Sequence, residues 1–313
     1  MSVVFPDTLP AARYRFDFEV TVPLRLPEYA GSMIRGVFGR ALRRLACMTR
    51  EKDCKACPLY RSCAYTSIFE TPAPVTHELQ KFSQIPNPYI IEPPEWGERL
   101  YGIGKTLSFH MVLIGRTRDQ LPMIIYALKR GLAYDIGHGK AALRRVLIAH
   151  ENGEDYTMIY EDGDQEVEPH ENTIHIPRET SESSMRLQFL TPLRLQHNGR
   201  ALPPDAITAP ILLSALIRRL NLLMEFHAGI QLTDDFAAAF ELTQQVSLTH
   251  QWHWKDWQRF SSRQKQAMKL GGAVGFCTLE HLPPEIVPFL IAGQWLHLGK
   301  NATFGLGHYR RVG

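Results

Sequence analysis

The sequence predicts an α+β protein in which one order of strands and helices occurs twice. Alternating apolar and charged residues indicate a strand at residues 13–22, and an apolar stripe at helical spacing begins at Gly31. After Met185 the same succession begins again. Its order, strand–helix–strand–strand–helix–strand, is that of the ferredoxin-like or RRM-like fold. We therefore expect two tandem ferredoxin-like domains, residues 1–180 and 181–313.

The elements of the first domain follow from local signals. The helix from Gly31 is predicted by one apolar stripe, made of Ile34, Val37, Phe38, Ala41, Leu42 and Leu45. Residues 106–115 and 142–149 are predicted strands, and residues 122–130 a helix with proline in its first turn. A cysteine-bearing insertion is expected at about 47–65. An acidic hairpin is expected at about 151–171, with Asp162 and Gly163 as its turn.

The second domain is predicted in the same way. Residues 185–196, 245–253, 272–280 and 304–312 have strand patterns. Residues 209–226 and 284–296 have helical patterns. Cys277 lies in one of the strands and is expected to be a core residue.

The charge of the chain is unevenly distributed. The net charge is +3, but residues 151–171 contain nine acidic residues and no Lys or Arg. The remainder has 35 basic against 23 acidic residues, which favours a polyanionic partner such as RNA. The sequence contains no apolar run of the roughly 18 residues that a membrane span requires. Its start lacks a signal-peptide pattern, so we expect a cytoplasmic protein without a membrane partner.

Four cysteines form a cluster with the spacing of a metal site. Cys47, Cys54, Cys57 and Cys63 could supply four thiolates to one tetrahedral ion. Thiolates select zinc or an iron–sulfur cluster, and a site with four protein ligands is structural. The alternative is a set of reduced thiols without metal.

The first predicted helix has a basic face opposite its apolar stripe. Gly36 and Gly39 on this face would let a phosphate chain approach the backbone closely. The alternative is a solvated face whose glycines accommodate a neighbouring strand. The residues predicted to bind RNA here are Arg35, Arg40, Arg43 and Arg44.

Residues 251–269 combine tryptophans with basic residues. Trp252, Trp254 and Trp257 could stack bases of single-stranded RNA, while neighbouring cations neutralise phosphates. The alternative is a tryptophan core beside a solvated basic loop. The predicted RNA-binding cations are Arg259, Arg263, Lys265 and Lys269.

A glycine-rich loop precedes the predicted last strand. Gly299, Gly305 and Gly307 would expose backbone N–H groups that can hold phosphate oxygens. Lys300 lies within the loop, and His297 lies at the end of the preceding helix.

Several of these segments together resemble a known family. The block GGAVGF…LPPEIVPFLIAGQWLHLGKNATFGLGHYR resembles the closing segment of the CRISPR-associated RAMP endoribonucleases that process precursor crRNA. The segments GSMIRGVFGRALRRLAC, CKACPLYRSCAY and PNPYIIEPP resemble the cysteine-bearing branch of that family. The resemblance implies cleavage within the CRISPR repeat by attack of a ribose 2′-OH on the adjacent phosphate. It implies no catalytic metal and no small-molecule substrate.

The resemblance also guides the choice of catalytic residues. Many family members carry a histidine in or near the first helix, but residues 31–50 contain none here. We predict His297 as the proton-transferring group and Lys300 as the stabiliser of the phosphorane, with His308 or Tyr309 assisting. His253 and His77 are alternatives. A rival function is a non-catalytic RAMP subunit that binds crRNA as a scaffold beside other CRISPR effector subunits. A regulator outside CRISPR systems is a third interpretation.

Overall fold

Two antiparallel β-sheets form the framework of the protein. The computed structural model describes residues 5–74, 85–151, 153–171, 174–176, 182–261 and 266–312. The described strands are β1 (Ala11–Val22), β2 (Leu24–Leu26), β3 (Tyr89–Glu92), β4 (Arg99–Tyr101), β5 (Thr106–Ile114), β6 (Lys140–Ala149), β7 (Tyr156–Glu161), β8 (Ser184–Leu193), β9 (Gln196–His197), β10 (Arg200–Ala201), β11 (Ser247–Ser261), β12 (Gln266–Glu280) and β13 (Tyr309–Val312). The described α-helices are α1 (Gly31–Ala46), α2 (Ala64–Phe69), α3 (Leu121–Tyr134), α4 (Ala209–Ala228), α5 (Phe236–Gln244) and α6 (Val287–Leu296).

The first sheet has the strand order β3-β5-β1-β6-β7. Without β7, this is the arrangement of a ferredoxin-like fold, with α1 and α3 as its two helices. Alternate residues of β1 face opposite sides of the sheet, so Tyr14, Phe16 and Phe18 are buried beneath the helices. Arg13 and Asp17 face the other side of the sheet.

Helix α1 packs through the apolar stripe that the sequence predicts. Ile34, Phe38 and Leu42 are fully buried. Gly131 of α3 allows a close approach, because a Cβ built on it would lie 2.9 Å from a methyl group of Val37. The two helices therefore cover one face of the first sheet.

The second sheet has the strand order β11-β12-β8-β13, which is also ferredoxin-like. Helices α4 and α6 contribute to its apolar core. Tyr309 of β13 is fully buried and donates a hydrogen bond to the Leu290 carbonyl of α6 (2.8 Å). The predicted α+β class with two ferredoxin-like units is thus confirmed.

Several observed elements differ from the prediction, among them β13, which begins at Tyr309 and not at residue 304. β3 was not predicted, because prolines surround its four residues. β11 continues to Ser261 and pairs with β12 over its whole length, well beyond the predicted end at His253. Asp162 and Gly163 form a turn after β7 and not the connection between the paired strands β6 and β7.

The core of the second unit extends onto the first sheet. Ala11, Ile90, Val112 and Ile114 belong to the same buried cluster as α4 and α6. They lie on the face of the first sheet that α1 and α3 leave uncovered. Within the described part of the chain, every helix is too short or too polar to cross a bilayer.

Candidate functional site

The start of α1 meets the glycine-rich loop, residues 298–307, at the interface between the two ferredoxin-like units. The Tyr29 hydroxyl donates a hydrogen bond to the Phe304 carbonyl (2.8 Å). A Cβ built on Gly31 would lie 2.1 Å from that carbonyl oxygen, so only glycine permits this approach. Two segments separated by about 270 residues in the chain, both predicted to bind RNA, are therefore in direct contact.

A small aromatic cluster stabilises this contact. The Trp257 ring centroid lies 5.6 Å from that of Trp96 and 5.9 Å from that of Tyr29. Trp257 is only 5% exposed, so it belongs to the interface core and offers no platform for a base. Lys255 places its ammonium 3.9 Å from the Trp96 ring centroid, a cation–π contact.

The other two tryptophans of β11 differ in exposure. Trp252 is half-buried and packs edge-on against Phe189, with ring centroids 6.0 Å apart. Trp254 is 37% exposed, and its indole N–H donates a hydrogen bond to Asp256 (2.7 Å). Of the three predicted platforms, Trp254 alone has an exposed ring.

The loop glycines serve the packing of the loop itself. A Cβ on Gly307 would lie 1.7 Å from the Leu298 carbonyl oxygen, and one on Gly305 would lie 2.7 Å from the Ile91 carbonyl oxygen. Their N–H groups donate to the carbonyls of Pro192 and Ala302, respectively. Both glycines are buried, so the prediction that they contact RNA does not agree with their placement. Gly299 is half-buried, with φ at +88°.

Lys300 is the exposed cation of the loop, and hydrogen bonds and strand pairing connect its backbone to two further cations. Its N–H donates to the Arg194 carbonyl (2.8 Å), and the Arg194 guanidinium donates to the Gly271 carbonyl (2.8 Å). Lys255 of β11 pairs with Gly272 of β12, which is the residue next to Gly271. Burial lowers the pKa of both Arg194 and Lys255. No local pattern marks these two residues, because only the sheet topology connects them to the loop.

His297 occupies a position that does not suit the predicted proton transfer to RNA. Its side chain is 0% exposed, and its Nε2 lies 3.2 Å from Oε1 of Glu92 on β3. The other Glu92 oxygen accepts a hydrogen bond from Arg13 Nε (2.7 Å). A general base must contact the proton that it removes. The prediction that His297 is that base is therefore corrected, because packing of the second unit on the first encloses the imidazole.

Glu92 and His297 belong to a larger polar network at the interface. The His308 ring stacks on the His297 ring with centroids 4.6 Å apart. His110 lies opposite Glu92 in the β3–β5 register and contacts the Tyr156 hydroxyl (3.0 Å). Burial lowers the pKa of His308 to about 3 and that of His110 to about 4. Burial alone would raise the pKa of Glu92, but Arg13 and the nearby histidines lower it well below its ordinary value.

The predicted basic face of α1 is partly used inside the protein. Arg35 donates to the Tyr89 hydroxyl (3.0 Å) and stacks over Phe69. Arg43 donates to the Lys52 carbonyl (3.0 Å), and the Arg44 guanidinium lies 5.1 Å from the Tyr134 ring centroid. Arg40 and Arg44 are exposed, so they are the members of the set most accessible to RNA.

The two glycines of this face have different environments. A Cβ on Gly39 would lie 2.3 Å from the Phe69 ring, so Gly39 accommodates α2 and not a phosphate. Gly36 is half-buried, and the nearest atom to its built Cβ is a guanidinium nitrogen of Arg40 at 3.4 Å. Gly36 therefore remains compatible with close approach of a ligand.

The four clustered cysteines line one pocket between the end of α1 and α2. Each is half-buried, and none forms a disulfide. Arg43 lies near Cys47 and Cys54, where a guanidinium would compensate thiolate charge. The donor set therefore suits zinc or an iron–sulfur cluster. No three of these sulfur atoms lie within 4.8 Å of one another in the described chain, so an ion would draw them closer together.

Some predicted residues lie outside the described part of the chain. They are Arg263, Lys265 and His77. Arg259 lies on β11 and Lys269 on β12, but their side chains are not among those described. His253 is exposed on β11.

Comparison with known proteins gives one family-model match in each half of the chain. A family model described as an N-terminal domain matches residues 9–172. The model of the CRISPR-associated endoribonuclease Cas6 matches residues 187–309. No curated protein matches the chain by sequence.

Solved structures of Cas6 proteins have a similar fold. A Cas6 product complex aligns over 96% of this chain and 100% of its own, with 15% identity and a TM-score of 0.58. Cas6 of Thermus thermophilus aligns over 98% and 100%, with 15% identity and a TM-score of 0.53. A partial Cas6–RT–Cas1–Cas2 complex aligns over 98% of this chain and 46% of its own, with 15% identity and a TM-score of 0.54. The Cas6 match over residues 187–309, together with the similar fold over the whole chain, supports the CRISPR-associated RAMP endoribonuclease family for this protein.

Proposed function

We propose that this protein is an endoribonuclease that cleaves CRISPR precursor RNA within the repeat, by metal-independent attack of a 2′-OH on the adjacent phosphate. The observation that carries the proposal is the contact between the start of α1 and the glycine-rich loop. This contact lies beside three cations from distant parts of the chain: Arg194, Lys255 and Lys300.

The proposed chemistry requires positive charge beside a developing phosphorane. Lys300 is exposed and held by a backbone hydrogen bond to Arg194, so it is our candidate for that role. Lys255 is held over Trp96, and its lowered pKa makes proton exchange easier than for an ordinary lysine. Lys255 is therefore our candidate for proton transfer, while Arg194 binds phosphate.

His297 acts in this proposal as a positioning residue. It ends α6 and leads directly into the loop that carries Lys300, and its imidazole is paired with Glu92 across the interface. Loss of the imidazole would loosen the loop relative to α1. We therefore expect His297→Gln to reduce cleavage through displacement of Lys300, without changing the pH dependence of cleavage.

The experiment is cleavage of labelled repeat RNA from the host array in excess EDTA. Wild type is expected to cut at one position and leave a 5′-OH. Lys300→Ala and Lys255→Ala are expected to cut at least 100-fold more slowly, since one electrostatic donor contributes about that factor. Lys140→Ala, at the exposed start of β6, is the matched control with normal cleavage. Normal cleavage by both lysine variants would overturn the assigned roles.

A crRNA-binding scaffold is the second candidate function. It is favoured by the absence of histidine from α1 and by the burial of His297. In the same experiment, tight binding of repeat RNA without cleavage would establish the scaffold and reject the enzyme. Cas6 also occurs in a solved complex with RT, Cas1 and Cas2. We propose repeat RNA and other CRISPR proteins as the partners of this chain.

We further propose that Cys47, Cys54, Cys57 and Cys63 hold a structural zinc ion or iron–sulfur cluster. The support is their common pocket and the neighbouring Arg43. The ion would join the end of α1 to α2 and take no part in cleavage. Metal analysis of purified protein is expected to show that Cys54→Ser together with Cys57→Ser lowers the content by one zinc, or by one cluster, per chain. Unchanged metal content in that double variant would reject the site.

A further inference from the structure

The interface between the two ferredoxin-like units contains a second set of side chains with metal-ligand chemistry. One ligand atom each from Glu92, His297 and His308 lies within 4.8 Å of the other two. Glu92 belongs to the first unit, and both histidines belong to the second. This is the one group of three such side chains found among the described residues, and it is separate from the cysteine pocket.

We propose that Glu92, His297 and His308 form a binding site for a divalent transition metal ion, such as zinc, that joins the two units. Two histidines with one carboxylate are an established donor set for zinc and for ferrous iron. The proposal does not depend on cleavage activity, because the ion would fix the relative position of the units.

The distances agree with this donor set. His297 Nε2 and Glu92 Oε1 are 3.2 Å apart. Two ligand atoms that each lie about 2.1 Å from a tetrahedral zinc ion are about 3.4 Å apart. On binding, the ion would replace the proton that these two atoms share, and that proton would leave to solvent. His297 and Glu92 therefore need little movement to take the ion, and the His308 ligand atom lies within 4.8 Å of both.

Arg13 holds the Glu92 carboxylate in the orientation that a metal site would require. Its guanidinium binds Oε2 of Glu92 at 2.7 Å and leaves Oε1 directed at His297. Ligating carboxylates in metalloproteins are usually held in this way by a further hydrogen bond to the other oxygen.

The backbone of His297 has φ at +54°, a conformation that non-glycine residues seldom adopt. Arg219 fixes that backbone by donating to the His297 carbonyl (2.9 Å). Strained residues held by their surroundings are frequent at ligand sites.

The test uses the full chain with Cys54→Ser and Cys57→Ser, so that thiolates cannot bind the probe metal. After removal of metal by a chelator, Co²⁺ is added and the visible spectrum recorded. We expect one Co²⁺ per chain with d–d absorption and without a thiolate charge-transfer band. His308→Gln in the same background is expected to weaken binding at least 10-fold, and His253→Gln to leave it unchanged. Zinc should raise the Tm of the parent but not that of the His308→Gln variant.

A second measurement covers the case in which His308→Gln does not fold. X-ray absorption at the zinc edge on the cysteine double variant is expected to give a nitrogen and oxygen shell with imidazole scattering. The proposal is overturned if the folded double variant binds no Co²⁺. It is equally overturned if His308→Gln binds Co²⁺ as tightly as the parent, or if the zinc spectrum lacks imidazole.

Discussion

Tyr29 and Phe304 are joined by a hydrogen bond of 2.8 Å from the Tyr29 hydroxyl to the Phe304 carbonyl. This bond connects the residue just before α1 with the glycine-rich loop of the other ferredoxin-like unit. Tyr29 is 5% exposed, and burial raises the pKa of its phenol well above the ordinary value, so the hydroxyl remains a donor. The arrangement of the proposed active site depends on this contact.

Removal of that hydroxyl is expected to weaken both stability and cleavage. Tyr29→Phe keeps the aromatic packing and deletes one buried hydrogen bond, which costs about 1–2 kcal/mol in the free energy of unfolding. Urea denaturation measures this cost. Cleavage of repeat RNA should decrease more than binding does, because the loop moves relative to α1. Unchanged stability would mean that the contact contributes nothing.

Two glycines of α1 are expected to respond in opposite ways to alanine. Gly31→Ala places a methyl group 2.1 Å from the Phe304 carbonyl oxygen, and such overpacking costs about 1–3 kcal/mol. Gly36→Ala meets only a guanidinium nitrogen at 3.4 Å and gains up to about 1 kcal/mol from helix propensity. Thermal unfolding of the two variants distinguishes these outcomes. A loss of RNA affinity in Gly36→Ala would favour direct RNA contact at this face.

Arg219 is expected to be important for the loop that follows α6. Its guanidinium donates to the carbonyls of Leu296 and His297, the last groups of the helix. Arg219→Ala leaves these carbonyls without the donor and should cost about 2–3 kcal/mol. Chemical denaturation measures the change, with Arg116→Ala at an exposed position as the control. Equal stability of the two variants would contradict this assignment.

His227 is expected to make stability depend on pH. Its Nε2–H donates to the Pro86 carbonyl (2.7 Å), and burial lowers its pKa below the ordinary 6.5. The unfolded chain therefore binds a proton at higher pH than the folded chain does. Stability should be constant above about pH 6.5 and decrease on acidification, with this residue contributing at most about 1.4 kcal/mol per pH unit.

The measurement for His227 is the free energy of unfolding between pH 7.5 and about 5.5. His227→Gln keeps an N–H donor and lacks the titrating group, so its decrease over this range should be smaller than that of wild type. An equal decrease in both proteins would assign the pH dependence to other groups.

The sequence predicts those parts of the protein that have strong local patterns. The stripe of α1, the period-2 alternation of β1 and the long helix α4 are all present where expected. β3 was missed because a strand of four residues between prolines gives no periodic signal. Because Glu92 lies on β3, its pairing with His297 was not predicted either.

The site residues were harder to predict for a physical reason. His297 and Lys300 are three positions apart, yet one is enclosed between the two units and the other is exposed. This difference depends on how the units pack, which no local pattern determines. Arg194 and Lys255 join Lys300 only through the pairing of β8 with β12 and of β12 with β11.

The proposed reaction is tested most directly with two repeat RNAs that differ by one oxygen atom. One is unmodified, and the other has a 2′-deoxyribose at the nucleotide just before the cleavage position. We expect wild-type protein in excess EDTA to bind both RNAs equally and to cut only the unmodified one. Cleavage of the deoxy RNA at the same position, or loss of all cleavage of the unmodified RNA in EDTA, would contradict the proposed mechanism.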